Sequence, residues 1–365
     1  DRASALRVYH ACASQLRREL GVDPGTATQA VYETVLHADE APPPRPAAPP
    51  PPQMPAAPTL VGREREWEQL QNAWRAAVSG RPQMILLAGE TGIGKTRLAE
   101  ELVAWVARQQ LTTAAAHCYP TGQTLAYAPV AALLRDPVIV QRLAKLDATW
   151  LTEISRLLPE LAAIHPGLAA PGPMTEPWQR QRLFRALTEA ILMPASSAAP
   201  EAAPLLLLID DLQWCDSDTL DWLLYLLDAA ASAPLLVVAT ACCCELDGDS
   251  PIEVLRLNLE RRGLVTQIEL AALPPAAATE LAIGLAGRAL RPEEATGLLR
   301  EAEGVPLFIV EMVRAGFDFV AQEGRPPTLQ AEGEPIRLSD PHPLPPRVEA
   351  AIRRRLAGLS TTARE

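Results

Sequence analysis

The run Gly89-Glu90-Thr91-Gly92-Ile93-Gly94-Lys95-Thr96 constrains this chain more than any other stretch. It fits the pattern GxxxxGK[ST], in which glycines let the backbone curl until successive N–H groups face one point. The apolar run Met84–Ala88 precedes it, and a helical pattern reaching about Gln110 follows. A strand that feeds such a loop into a helix turns the positive end of the helix dipole toward an anion. Phosphate is the anion that fits, with Lys95 neutralising β- and γ-phosphates and Thr96 reaching a Mg2+ ion.

A second run, Leu205-Leu206-Leu207-Leu208-Ile209-Asp210-Asp211, ends an apolar strand in two carboxylates. Carboxylates at the end of a buried strand are costly unless they meet a cation or hydrogen-bond donors. Asp210 is the candidate Mg2+-side acid, directly or through water, and Asp211 the candidate catalytic group that orients or deprotonates an attacking water. Further strands are expected at Thr112–Cys118, Leu235–Thr240 and Thr266–Leu270, alternating with helices, which is the pattern of an α/β parallel sheet. Three of the five runs are almost wholly apolar, as strands covered on both faces are. The strand Thr112–Cys118 falls between the two motifs, as expected where the P-loop strand and the Asp210 strand are not neighbours. Residues 274–316 read as helical, with Pro292, Glu293 and Glu294 opening one helix. The expected class is α/β: a P-loop NTPase with a five-stranded parallel sheet, helices on both faces, and a helical lid after it.

The flanks differ in kind. In residues 1–38, Leu6, Tyr9, Leu16 and Leu20 make a helix-spaced stripe, Gly21 is a stop, and Thr26–Leu36 is helical again. Such a pair cannot bury its stripe alone, so it reads as one unit of a longer helical repeat array cut at its N-terminus. The opening Asp1-Arg2-Ala3, without an initiator methionine, agrees with a fragment. Residues 39–59 form a linker: positions 41–58 hold ten prolines in eighteen, a composition that favours extended polyproline II and a semi-rigid spacer. An SH3-type ligand is its alternative. Residues 60–273 make the core and 274–316 the lid. Residues 317–343 form a second linker, and 344–365 begin a further helical domain with a basic helix near Arg347–Leu356.

Charge bears on partners. With 33 basic and 44 acidic residues the net charge is −11, which argues against a non-specific polyphosphate binder. Only Lys95 and Lys145 are lysines; the other 31 basic residues are arginine. The cysteines, Cys12, Cys118, Cys215 and the run Cys242-Cys243-Cys244, show neither zinc-ligand spacing nor a disulfide-rich pattern. No apolar run reaches the ~20 residues of a membrane span, and the start is no signal peptide. A reduced, cytoplasmic protein away from membranes is expected.

Several residues invite a functional reading but read more simply as structure. His117 and His165 fit packing or surface positions, and Trp67 and Trp74 a core-facing stripe. Arg180, Arg182 and Arg185 read as a solvated face, with a phosphate contact as the alternative. Arg353, Arg354 and Arg355 read as stems covering apolar surface, with nucleic acid as the alternative. The cysteine run reads as buried thiols near a strand end, a redox or metal site being its alternative.

Four landmarks together resemble a family. Leu60-Val61-Gly62-Arg63-Glu64-Arg65-Glu66, the P-loop, Asp210-Asp211-Leu212-Gln213-Trp214-Cys215-Asp216 and Gly304-Val305-Pro306-Leu307-Phe308 are similar to those of STAND-type, AAA-like (Orc1-like) ATPases of large bacterial transcriptional regulators. Ala5-Leu6-Arg7-Val8-Tyr9-His10 and Glu19-Leu20-Gly21-Val22-Asp23-Pro24 resemble the end of the TPR-like bacterial transcriptional activator domain of SARP-type regulators. Leu344-Pro345-Pro346-Arg347-Val348 resembles the entry to a winged-helix segment. The resemblance implies that Val61, Gly62 and Arg63 lie by the adenine and that Pro306 packs on the nucleoside. The nucleotide-binding set is then Gly62, Arg63, Gly89, Thr91, Gly92, Ile93, Gly94, Lys95, Thr96, Arg97 and Pro306, with Thr96 and Asp210 on the metal and Asp211 catalytic.

Two positions depart from the family. Cys242 stands where relatives carry an arginine near the γ-phosphate, and a thiol cannot supply that permanent planar cation. Val305 replaces the asparagine of a Gly-Asn-Pro lid motif. The function expected is an ATP-binding (or ADP-binding) regulatory switch with Mg2+ and slow hydrolysis; the alternative is a nucleotide-binding scaffold without significant turnover. A P-loop kinase lacks an acceptor-site motif. Expected partners are ATP, other proteins through the TPR-like and helical modules, and a nucleotide-dependent oligomer, with DNA contacted only through regions outside these residues.

Overall fold

A computed structural model of the chain describes residues 60–120, 125–193, 203–243, 248, 250–314 and 316, all within the unit Pro58–Glu365. The expected segments 1–38, 39–59, 317–343 and 344–365, and Cys244, lie outside the described residues.

Five strands form the sheet: β1 (Gln83–Gly89), β2 (Thr112–His117), β3 (Leu205–Asp210), β4 (Leu235–Cys242) and β5 (Val265–Leu270). Every pairing is parallel and the order is β2-β3-β4-β1-β5, so β4 separates the P-loop strand from the Asp210 strand. The three central strands are buried almost end to end, whereas the edge strands β2 and β5 alternate. Central strands in a covered parallel sheet have no solvent side, and so need apolar residues at successive positions.

Strand parity divides the core. Met84, Leu86, Leu205, Leu207, Ile209, Leu235, Val237 and Ala239 face one helical layer. Ile85, Leu87, Leu206, Leu208, Leu236, Val238, Ile268 and Leu270 face the other, built on α1 (Glu64–Val78) and α2 (Lys95–Arg108). The first layer contains α3 (Ala128–Leu134), α4 (Pro137–Leu143), α5 (Ala148–Ile154), α6 (Leu161–Ile164) and α7 (Pro177–Leu192) between β2 and β3, then α8 (Ser217–Ala229) and α9 (Pro251–Glu260). Five helices thus fill the connection between β2 and β3, with Arg180, Arg182 and Arg185 on the last of them. The first four, α3–α6, have seven residues or fewer, and their apolar positions make sense only against one another, α7 and the sheet.

Trp74 is buried on the α1 face, and Trp67 meets Trp105 edge-on with ring centroids 6.0 Å apart. Both therefore serve packing. Arg180 pairs with Asp218 and Asp221, Arg182 with Glu153, and Arg185 lies over Trp150. These arginines bind the α5–α7–α8 layer together.

The lid is three helices: α10 (Pro275–Ala286), α11 (Pro292–Ala302) and α12 (Pro306–Arg314), around Leu281, Leu298 and Ile309. Among the described residues no helix is long and apolar enough to cross a membrane.

Two buried carboxylates organise the layers. Asp216 caps α8 by accepting from the Thr219 N–H (2.9 Å) and hydroxyl (2.7 Å), and also accepts from the Tyr127 N–H (3.0 Å) before α3. Asp216→Ala leaves those donors unsatisfied, and a loss of about 2–3 kcal/mol is expected in urea unfolding. Glu294, buried at the start of α11, accepts from the Arg288 and Arg291 guanidiniums and the Arg291 N–H. Arg288 and then Arg291 hold its carboxyl well below its ordinary value of 4.5. A depressed folded-state pKa gives stability that is present above the unfolded value and lost as pH falls through the folded one. Glu294→Gln should therefore be less stable than the native chain at neutral pH, with the gap closing below about pH 4.5 in thermal unfolding.

Candidate nucleotide site

The site lies where the buried strands end. Gly89 closes β1, beside Leu270 of β5 and Cys242 of β4 in register. The loop to Gly94 follows, and Gly94, in the left-handed region at φ 100°, opens α2 with no side-chain cap. No acidic residue occupies the first turn of α2, leaving the positive end of the helix dipole to the loop. The Ile93 side chain is buried in the α1–α2 layer, so its role is to anchor the loop, while Thr91 stays half-buried. Arg97 turns away to Glu101 at 3.0 Å.

Lys95 is buried, and its ammonium donates to the carbonyls of Gly89 (2.9 Å) and Glu90 (2.8 Å). Burial pushes its pKa below the ordinary value, while the nearby Cys242, Asp211, Cys243 and Asp210 side chains pull the other way. A desolvated cation held by two neutral carbonyls has charge left to offer an anion.

Parity explains how Asp210 reaches this loop. The even positions of β3, Leu206 and Leu208, face α1 and α2, so Asp210 does too. There the Thr96 hydroxyl shares its proton between the two Asp210 oxygens at 3.0 and 3.1 Å. One strand over, Thr240 faces the same layer. Its hydroxyl donates to Asp210 Oδ1 (2.5 Å) and accepts from the Asp211 N–H (2.8 Å). On the other side, His117 pairs with Asp210 in register, and its Nδ1 stands 3.1 Å from Asp210 Oδ2. His117, Asp210 and Thr240 thus form a polar row across three adjacent strands.

Asp211 has φ 59°, left-handed and uncommon outside glycine, though aspartate tolerates it better than most residues. This bend brings its carboxylate back near that of Asp210, where an extended continuation would send it to the opposite face. Gln213 Nε2 donates to Asp211 Oδ1 (2.8 Å), while Gln213 Oε1 accepts from the Cys242 N–H (3.3 Å). Cys242 ends β4 half-buried, so the position read as family-divergent stands beside the P-loop.

The lid closes on the loop directly. The Leu307 N–H donates to the Gly92 carbonyl (3.2 Å), and a Cβ on Gly92, at φ 84°, would sit 2.9 Å from Leu307 Cβ. Pro306 approaches Gly94: a Cβ there would lie 3.9 Å from its ring. Val305 is buried in the same apolar layer as Ile93, so an apolar side chain has a place at that lid position. Gly62 packs on the lid, where a Cβ would meet Ala277 Cβ at 2.5 Å. Arg63 is buried and donates to the Ile93 carbonyl (3.1 Å) as well as pairing with Glu66 (3.2 Å), which braces the loop from behind.

Of the residues expected at the site, the loop, Lys95, Thr96, Asp210 and Asp211 meet at one sheet edge, whereas Arg97 pairs with Glu101, Ile93 is buried in the core, and Gly62 and Arg63 contact the lid and the loop. Sequence reasoning missed His117, Thr240 and Gln213 as members. A polar residue at the C-terminal end of a strand was the available signal, since α/β sites collect there; which strand adjoins Asp210 was not.

Residues 59–238 match the AAA ATPase domain, and residues 1–36 the bacterial transcriptional activator domain. No curated protein gives a significant match. Solved structures with similarity include a DNA replication initiation factor (13% identity, TM-score 0.39, 75% of this chain and 66% of that one). AMPPCP-bound DnaA from Aquifex aeolicus is another (13%, 0.40, 73% and 64%), and Drosophila ORC bound to DNA a third (15%, 0.44, 82% and 70%). Each is a distant likeness, and the chain spans about two thirds of the length of the first two. The domain match and the loop's chemistry together support nucleotide binding. The chain thus carries an AAA ATPase domain of the P-loop α/β class, with a bacterial transcriptional activator domain at its N-terminal end.

Proposed function

We propose that residues 60–316 bind ATP with Mg2+ and serve as a nucleotide-dependent switch in a bacterial transcriptional regulator. The observation that carries this reading is the meeting of an uncapped α2 N-terminus, the buried Lys95 and the Thr96–Asp210 pair at one sheet edge. The loop N–H groups from Gly92 to Thr96 bind phosphate oxygens, and Lys95 exchanges a carbonyl partner for them. Thr96 and Asp210 fit a hard cation, since a hydroxyl and a carboxylate already lie at hydrogen-bond distance and both offer oxygen. Bound there, Mg2+ supplies charge neutralisation for the phosphates. Asp211, oriented by Gln213, takes up the water that would attack the terminal phosphate.

Switching follows from lid contacts. The Gly92 carbonyl is bonded to Leu307, and Gly62 packs on α10, so a ligand that reshapes the loop changes the lid's footing. A ligand shifts such an equilibrium by the difference between its affinities for the two lid states. The match of residues 1–36 supports a transcriptional setting; protein partners met through the helical modules, nucleotide-dependent assembly and a cytoplasmic place belong to the same proposal.

Cys242 favours a second reading, a scaffold that binds nucleotide with little turnover. It stands at the β4 end beside Gly89, where a guanidinium would stabilise charge on a transferring phosphate.

Lys95→Ala should weaken ATP binding about a hundredfold or more in calorimetry, the scale of losing a charge-assisted phosphate contact in a shielded site. Unchanged affinity overturns the nucleotide reading. In a phosphate-release assay the native chain should turn over slowly, and Cys242→Arg should raise the rate about tenfold or more. Brisk native turnover that this change does not improve removes the scaffold reading.

A further inference from the structure

The polar row holds one group for which the nucleotide reading has no use. His117 ends β2 with its side chain half exposed, yet its Nδ1 is 3.1 Å from an oxygen of Asp210, which is 1% exposed. With the left-handed bend at Asp211, one ligand atom each from His117, Asp210 and Asp211 come within 4.8 Å of one another. Among the described residues this is the one such group of His, Cys, Asp and Glu.

We propose that His117, Asp210 and Asp211 form a site for a first-row divalent transition-metal ion, Mn2+ being the convenient probe, that fills without nucleotide. Two ligand atoms at about 2.1 Å from one ion and about 90° apart stand about 3.0 Å from each other. The His117–Asp210 separation of 3.1 Å therefore suits adjacent positions on a single ion. Two carboxylates balance a divalent charge, and the imidazole nitrogen sets the preference. Mg2+ demands oxygen and holds its waters, whereas first-row transition ions accept imidazole readily.

The surroundings orient these ligands as a metal site requires. Thr96 and Thr240 hydroxyls bond Asp210, Gln213 bonds Asp211 Oδ1, and the Tyr119 ring stacks on His117 at 5.9 Å and 29°. In the metal-free chain the Nδ1–H can donate to Asp210, and an ion bound at Nδ1 would take the place of that proton and leave the ring proton on Nε2. The exposed side of His117 gives an ion its entry path, and three protein ligands leave positions for water.

Asp210 and Asp211 also serve the proposed nucleotide site, but this inference needs neither ATP nor Lys95. The test is Mn2+ titration of the untagged, nucleotide-free full chain, followed by electron paramagnetic resonance, with pulsed measurement of nitrogen coupling to the bound ion. A single bound ion with imidazole 14N coupling is expected, undisplaced by an equal concentration of Mg2+. His117→Gln should abolish the coupling and weaken Mn2+ binding about tenfold or more. Absence of Mn2+ binding without nucleotide overturns the proposal. So does binding that shows no 14N coupling in the native chain, a readout that needs no variant. Lys95→Ala separates the two readings: it should keep Mn2+ binding while losing ATP. Native ATP binding without Mn2+ binding sinks only the metal site, and unchanged ATP affinity in Lys95→Ala sinks only the nucleotide reading.

Discussion

The carboxylate of Asp210 is the point on which the functional edge of this domain depends. It sits almost wholly out of water at the end of the most apolar strand, a placement that would cost several kcal/mol were its oxygens unanswered. The answer comes from three different elements: Thr96 at the start of α2, Thr240 on β4 and His117 on β2. Each donor or neighbour is supplied by packing that the apolar rows of the sheet already dictate. Satisfying one buried charge therefore fixes how the helix after the loop, the central strands and the edge strand meet.

The same logic links the loop to the lid. Gly92 and Gly62 both abut lid atoms where a Cβ would clash, and the backbone bond from Leu307 joins the two without a side chain. Arg63, buried behind the loop, commits its guanidinium to the Ile93 carbonyl and to Glu66. Loop and lid thus share a rigid seam, and a change in loop shape has no slack to absorb it. The proposed switch rests on that stiffness, since packed interfaces shift between arrangements more readily than they deform.

Chemistry at the edge is asymmetric. On the P-loop side stand a lysine, a hydroxyl and backbone N–H groups, suited to phosphate oxygens. Toward β2 stand an imidazole and the bent-back Asp211, suited to a cation that accepts nitrogen. Cys242 occupies the remaining corner and brings no fixed positive charge. On the proposed scaffold reading this balance would favour binding over rapid transfer, because such catalysis draws most of its rate from preorganised charge at the transferring group.

Most of the fold was legible because its signals are contiguous. The loop Gly89–Thr96, the apolar strands and the lid helices each declare themselves within a dozen or so residues, and the observed strands begin and end within two residues of the expected ones. The four helices that precede α7 between β2 and β3 were not legible, because each has seven residues or fewer, too short to show a period, and takes its stability from neighbours. A phosphate cradle after one buried strand, and two carboxylates at the end of another, are written in single local runs and could be read there. That β4 lies between them, that His117 and Thr240 flank Asp210, and that Arg63 braces the loop became visible only in the folded chain. Strand order and register arise from contacts between segments far apart in the chain, and no local pattern encodes which side chains become neighbours across a sheet.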